Sequence, residues 1–93
     1  MAKLLTTAGE TKEVQPASAR KGFTLKELYD LIGCDLVEVV GPNKKGEIMI
    51  CDEEGKLNGS EMNQLATDWY WENYGPYDII MGNVVICKNS EFK

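Results

Sequence analysis

The longest regular pattern in the chain is helical. Met62, Leu65, Ala66, Trp69 and Tyr70 stand at i, i+3, i+4, i+7 and i+8, so an α-helix would carry them on one face. Ser60 is a fair N-cap ahead of them and Gly75-Pro76 ends the run, which predicts a helix over 61–73. A helix of that length gets little stability from its own backbone and needs a partner for its apolar face. The rest of the chain has to supply that partner. Beside the apolar face runs a second line, Asn63, Thr67, Trp71 and Tyr74, polar at its start and aromatic at its end.

Ala2–Thr7 is a short apolar run that can begin a sheet, and Lys12–Gln15 can return from the Ala8-Gly9-Glu10 turn as a second strand. Pro16–Lys21 is a loop. Thr24-Leu25-Lys26-Glu27 is a capping box, Leu25, Leu28, Tyr29 and Ile32 keep helical spacing, and Gly33 suits a left-handed helix end. A helix over 25–32 follows, with Phe23 placed to staple its start. Cys34–Val40 and Glu47–Cys51 read as a hairpin around Gly41–Gly46, and Asp52-Glu53-Glu54-Gly55 is a turn before the Asn58-Gly59 loop. Asp78–Lys88 closes the fold as an apolar strand interrupted at Gly82-Asn83, and 89–93 reads as a loose tail.

The order is β-β-α-β-β-α-β: one α+β domain over 1–93, with a mostly antiparallel sheet of about five strands and two helices. Leu28, Ile32, Val37, Val39, Ile48, Ile50, Leu65, Trp69, Ile80 and Val85 are the expected core. Ile79, Ile80, Val84, Val85 and Ile86 show little alternation, so burial on both faces is expected in the last strand. Two helices of this length are expected to cover one face only. The other face would then meet water or a second copy, and a homo-oligomer is the expectation.

The chain has no run long enough to span a membrane and no signal-peptide pattern, so a cytoplasmic protein is expected. Ten basic residues against fifteen acidic give a net charge of −5, which argues against gripping polymeric nucleic acid or an anionic membrane. A small anion needs only a few local cations. Arg20-Lys21 and Lys44-Lys45 are the two concentrations, and their plainer reading is solvated loop. Cys34, Cys51 and Cys87 are widely spaced within or beside apolar segments and read as buried free thiols, with no metal or disulfide framework implied.

Without a histidine the usual Ser-His and Cys-His arrangements are impossible, and no motif points to a lysine or carboxylate base. The acidic Asp52-Glu53-Glu54 lacks calcium-loop spacing, since Lys56 stands where an oxygen ligand belongs, and the glycine loops lack a phosphate-loop pattern. No enzyme, cofactor or metal is therefore expected. The least ordinary stretch is Trp69–Tyr77, where five of the eight aromatic residues fall within nine positions. The plainer reading is core and subunit contact. The sharper one is that Trp71 and Tyr74 stack a purine ring while Asn63 and Thr67 bond its sugar or base edge.

Gly22-Phe23-Thr24-Leu25-Lys26-Glu27-Leu28 with Ile32-Gly33 resembles one signature of a small domain family of phages and bacterial mobile elements. Asp52–Asn58 with Asn63 and Ala66-Thr67 resembles its central signature, and Asp78–Val85 is similar to its closing strand. Cys34 departs from the pattern, where a second glycine is usual, as does the aromatic run over 69–77. The resemblance implies a short accessory protein with a domain of unknown function and transfers no catalytic residue.

Two functions are consistent with these features. The favoured one is a phage-type accessory protein, a sponge that sequesters a small nucleotide-derived immune signal without chemistry. Its site would be Asn63, Thr67, Trp71 and Tyr74, with Arg20, Lys21, Lys44 and Lys45 meeting phosphates. The alternative is a module that docks on a host enzyme through its aromatic and acidic surface and inhibits it.

Overall fold

Thr24 opens the first helix by the reciprocal bonding its neighbours allow. Its Oγ1 accepts from the Glu27 N–H at 3.2 Å, and its own N–H donates to Glu27 Oε1 at 2.9 Å. The Ala17 N–H donates to Glu27 Oε2 at 2.7 Å, which ties the preceding loop to the helix start. The Thr24 and Ala17 backbone bonds together hold the Glu27 carboxyl below its ordinary pKa. Gly33 ends the helix at φ 81°, with its N–H on Tyr29 O at 2.7 Å.

The computed structural model describes residues 2–57 and 59–92; Asn58 of the expected Asn58-Gly59 loop and Lys93 of the expected tail lie outside these. Its elements are β1 (Ala2–Leu5), β2 (Thr11–Val14), α1 (Leu25–Ile32), β3 (Val37–Val40), β4 (Glu47–Asp52), α2 (Gln64–Tyr74) and β5 (Val84–Lys88). The five strands form one sheet in the order β2-β1-β5-β4-β3, and every pairing is antiparallel. The expected α+β fold and element order are those observed. Among the described residues no helix is long and apolar enough to cross a membrane.

The two helices lie on opposite faces of this sheet. Ile48, Ile50, Val85 and Cys87 point to α1 and pack with Leu28, Ile32, Phe23 and Ala2. The alternate residues Met49, Cys51, Val84 and Ile86 point to α2 and pack with Ala66, Leu65, Trp69 and Tyr70. The expectation that both helices share one face is therefore corrected. Each covers only part of a face, but between them the two central strands, β4 and β5, are buried on both sides. The near-continuous apolar run of β5 is accounted for within one chain, with no second copy needed to cover it.

Four further differences have local causes. α2 begins at Gln64 with Asn63 as its N-cap, instead of at Glu61 after Ser60, because Met62 is drawn into a bridge with Met81. β5 begins at Val84, and 78–83 precedes it as irregular backbone held against α2. Val39 is 40% exposed because β3 is an edge strand beyond the reach of α1, and Val37, Leu65 and Trp69 are half-buried around the core. The chain after β5 is not loose through Phe92. Asn89–Glu91 forms a 3-10 turn, and Phe92 bridges Phe23 and packs on the α1-side core.

Leu28 lies wholly inside the α1 layer, so Leu28→Ala should cost about 2–5 kcal/mol in urea unfolding. Val39→Thr, on the same face but at the edge, should stay within about 0.5 kcal/mol. Equal losses at the two positions would contradict the layer assignment.

Candidate functional site

Asn63 is fully buried, and all of its amide groups are engaged. Oδ1 accepts from the Ala66 N–H at 2.9 Å, capping α2, while Nδ2 donates to Leu5 O at 2.9 Å and Gly82 O at 2.8 Å. Its backbone N–H donates to Ile80 O at 2.8 Å. One turn on, Thr67 Oγ1 accepts from the Ile80 N–H at 3.0 Å. These two residues face the 80–82 backbone and hold it. Both side chains are turned into the interior, away from solvent. Their four-residue spacing is that of a helix start clamped to a neighbouring segment.

Trp71 and Tyr74, expected on the same wall, go to different places. Trp71 is exposed on one flank of α2, where its Nε1 donates to Asp78 O at 2.6 Å. Tyr74 turns back toward Trp69 and Tyr70, with ring centroids 6.1 and 5.3 Å away. Its Oη is buried with no hydrogen-bond partner and lies against Gly41, where an added Cβ would come within 3.1 Å of it and 2.9 Å of Glu47 O. Glycine is thus required where the β3–β4 hairpin meets the end of α2. Asn43 completes that junction: its Nδ2 donates to Asn73 Oδ1 at 2.9 Å, and its Oδ1 accepts from the Lys45 and Glu47 N–H groups.

Lys44 and Lys45, carried on this hairpin, do meet Tyr74. With Pro42, Asn43 and Glu72 they line a recess of about 460 Å³. Arg20 and Lys21 belong to the loop leading into α1 and do not line this recess. The structure therefore does not assemble the expected eight residues into one site. It brings together Tyr74, Lys44 and Lys45.

A second cleft adjoins that recess and shares Lys45, Glu72 and Asn73 with it. It has a volume of about 390 Å³ and lies between α2 and the β1–β5 side of the sheet. Its helical wall is Leu65, Asp68, Trp69, Glu72 and Asn73, another i, i+3, i+4, i+7, i+8 stripe. Its floor carries Lys3, Leu5, Thr11 and Ile86, and Glu47 and Lys88 stand at one end. Register explains the floor: Lys3 pairs with Ile86 and Leu5 with Val84, all on the α2 face. Lys88 Nζ donates to Lys45 O at 2.9 Å, which ties the hairpin to β5. Among the described residues no ion pair holds the Lys3 or Lys45 ammonium.

Lys3 and Lys88 were not expected in a site. The signal for them is a lysine two residues from an apolar position on the same strand face, Lys3 with Leu5 and Lys88 with Ile86. Only the sheet order shows that the two meet. Burial pushes the Cys51 and Cys87 thiols up to about 12 and raises Cys34 by a smaller amount, so none is an activated nucleophile.

Asn63→Ala takes a donor from each of two carbonyls and leaves α2 without a cap, and should cost about 3 kcal/mol or more. Asn63→Asp should be no better. It keeps the cap acceptor but loses both donors, so rescue by Asp would show that capping alone matters. With Ellman's reagent at pH 8, Cys34 should react first in the folded protein, and Cys51 and Cys87 only on unfolding. Fast reaction of all three would contradict their burial.

No curated protein and no solved structure matches the chain. Residues 3–93 match the family described as a domain of unknown function (DUF3846), and the chain belongs to that family.

Proposed function

We propose that the chain binds a small nucleotide-derived molecule in the cleft between α2 and the β1–β5 side of the sheet, and holds it without chemistry. The observation that carries this reading is the convergence of Lys3, Lys45 and Lys88 from three separate elements on a cleft walled by Trp69. The chain as a whole has a net charge of −5. The same lining carries Glu47, Asp68 and Glu72, so what the lysines offer a phosphate is three ammonium donors at close range and not a net positive field. Trp69 offers a ring edge or face for a base, and Asp68 and Glu72 can accept from sugar hydroxyls or an exocyclic amine. The mixed charges thus suit a ligand with an anionic end and a donor-bearing end better than inorganic phosphate. A volume of about 390 Å³ is within the usual range for small-molecule sites.

In this reading the chain is an accessory protein of a phage or mobile element that removes a host immune signal from the cytoplasm. The absence of histidine from the sequence supports sequestration over turnover, since the commonest general base is missing and no motif points to a lysine or carboxylate in its place. Of the residues first expected to bind, Lys45 serves directly and Lys44 and Tyr74 border the cleft. Trp69 replaces Trp71 as the stacking group.

Thermal-shift and calorimetric titration against mono-, di- and cyclic nucleotides tests this. A cognate ligand should raise the melting temperature, because it binds only the folded state, and should be recovered intact. Lys3→Glu and Lys45→Glu should each weaken binding about tenfold to a hundredfold, as loss of a charge-assisted bond worth about 1.5–3 kcal/mol implies. Trp71→Ala should leave affinity unchanged. No stabilisation by any nucleotide, or recovery of a cleaved product, would overturn the proposal.

A further inference from the structure

The flank of α2 away from the cleft carries large apolar side chains that no described residue covers. Leu57 is 84% exposed and Tyr77 80%, and Trp71, Ile79 and Met62 are each more than two-fifths exposed. All but Met62 line one of two adjoining recesses, and Met62 is bridged to Met81, which lines both. Trp71, Tyr77, Ile79 and Met81 border a recess of about 530 Å³ with Lys56 and Asp78. Lys56, Asp78, Ile79 and Met81 also border a narrower groove of about 170 Å³, which Leu57 joins. Isolated exposed apolar residues are ordinary, but a connected patch of this kind marks a contact surface.

The patch is built in advance of any partner. Trp71 Nε1 is bonded to Asp78 O, Lys56 is ion-paired to Asp78, and the Ile79 N–H donates to Asp78 Oδ1 at 2.8 Å. The Ile80 N–H is held by Thr67, so the strip over 78–81 is fixed on the helix. A partner meeting it has little ordering cost to overcome on this side.

Charge decides what that partner is. Lys56 already faces Asp78, and the other charged residues lining the groove, Glu38, Asp52 and Glu53, are all acidic. A second copy docked by two-fold symmetry would bring this acidic rim close to its own image, and like charges across an interface disfavour that pairing. We propose that this patch docks a protein segment presenting a bulky apolar side chain flanked by lysine or arginine. The apolar residue fills the recess between Trp71, Tyr77 and Ile79, and the basic flanks lie along Glu38 and Glu53. The surface is separate from the nucleotide cleft, so it stands or falls independently of that reading.

Selection of random displayed peptides on the immobilised protein tests this. The Leu57→Asp/Tyr77→Asp variant serves as counter-target, and both positions are exposed enough that its fold should survive, which circular dichroism checks. Enriched peptides should share an apolar centre with basic flanks. As synthetic peptides they should bind the double variant about tenfold or more weakly than wild type, and Lys45→Glu should bind them as wild type does. No enrichment, enrichment without basic flanks, or binding indifferent to the double variant would overturn the proposal. So would a dimer in sedimentation that the double variant disperses, since that would seat a second copy on the patch. If the double variant does not fold, Tyr77→Asp alone, at a position that lines the recess, gives the same readout.

Discussion

The buried amide of Asn63 is the constraint on which the α2 side of the molecule depends. Its three side-chain hydrogen bonds fix the start of α2, the end of β1 and the turn before β5 relative to one another. Both carbonyls it serves lie at the limit of strand pairing, Leu5 O at the last pair of β1 and Gly82 O just ahead of β5. An unpaired buried carbonyl costs about 1–3 kcal/mol, so a side chain with two donors and an acceptor is worth more here than any apolar residue of similar volume. Thr67 extends the clamp by one turn to Ile80. The direction of α2 across the sheet, and with it the cleft on one flank and the apolar patch on the other, follows from these two polar side chains.

The sheet imposes the second condition. Because β5 lies at the centre of the order, between β1 and β4, both its faces must be covered. One short helix cannot wrap a sheet, so the chain places one on each side. The α1 layer is sealed by the capping box at Thr24 and by Phe92 against Phe23. The α2 layer is less complete, since a single helix of eleven residues crosses a face five strands wide. What it leaves uncovered, beside β1 and β5, is the floor of the cleft. The open site is therefore a consequence of the size of the domain.

The fold was largely legible in the sequence because its signals are local. Thr24, Glu27 and Gly33 mark both ends of α1, and the turn residues Gly41–Gly46 mark the hairpin. The element order follows from them. The side of the sheet each helix takes is not local information. It depends on whether Ile48 or Met49 faces α1, and both are apolar, so the alternation that would have settled it is missing. The start of α2 was misplaced for a related reason. Ser60 and Asn63 are both good caps, and only the carbonyls of Leu5 and Gly82, 58 and 19 residues away, select Asn63.

The same misplacement explains why the expected binding wall does not exist. Read as a helix from Glu61, the line Asn63, Thr67, Trp71, Tyr74 looks like one face with a polar end and an aromatic end. With Asn63 as the cap, its side chain folds back over the first turn and cannot project from a helical face. Thr67 turns into the interior against Ile80, and at about 100° per residue Trp71 and Tyr74 fall on either side of it, about 40° one way and about 20° the other. Trp71 emerges on the Asp78 side and Tyr74 on the hairpin side. The four aromatics of α2 are thus divided by helical phase, and Tyr77 follows the helix end on the Trp71 side. Trp69, Tyr70 and Tyr74 cluster toward the sheet and hairpin, while Trp71 and Tyr77 stand over the apolar patch. Composition alone made them look like one site. The helix, by separating them, gives the small chain two unlike surfaces: a lysine-bearing cleft on one flank of α2 and an acid-rimmed apolar recess on the other.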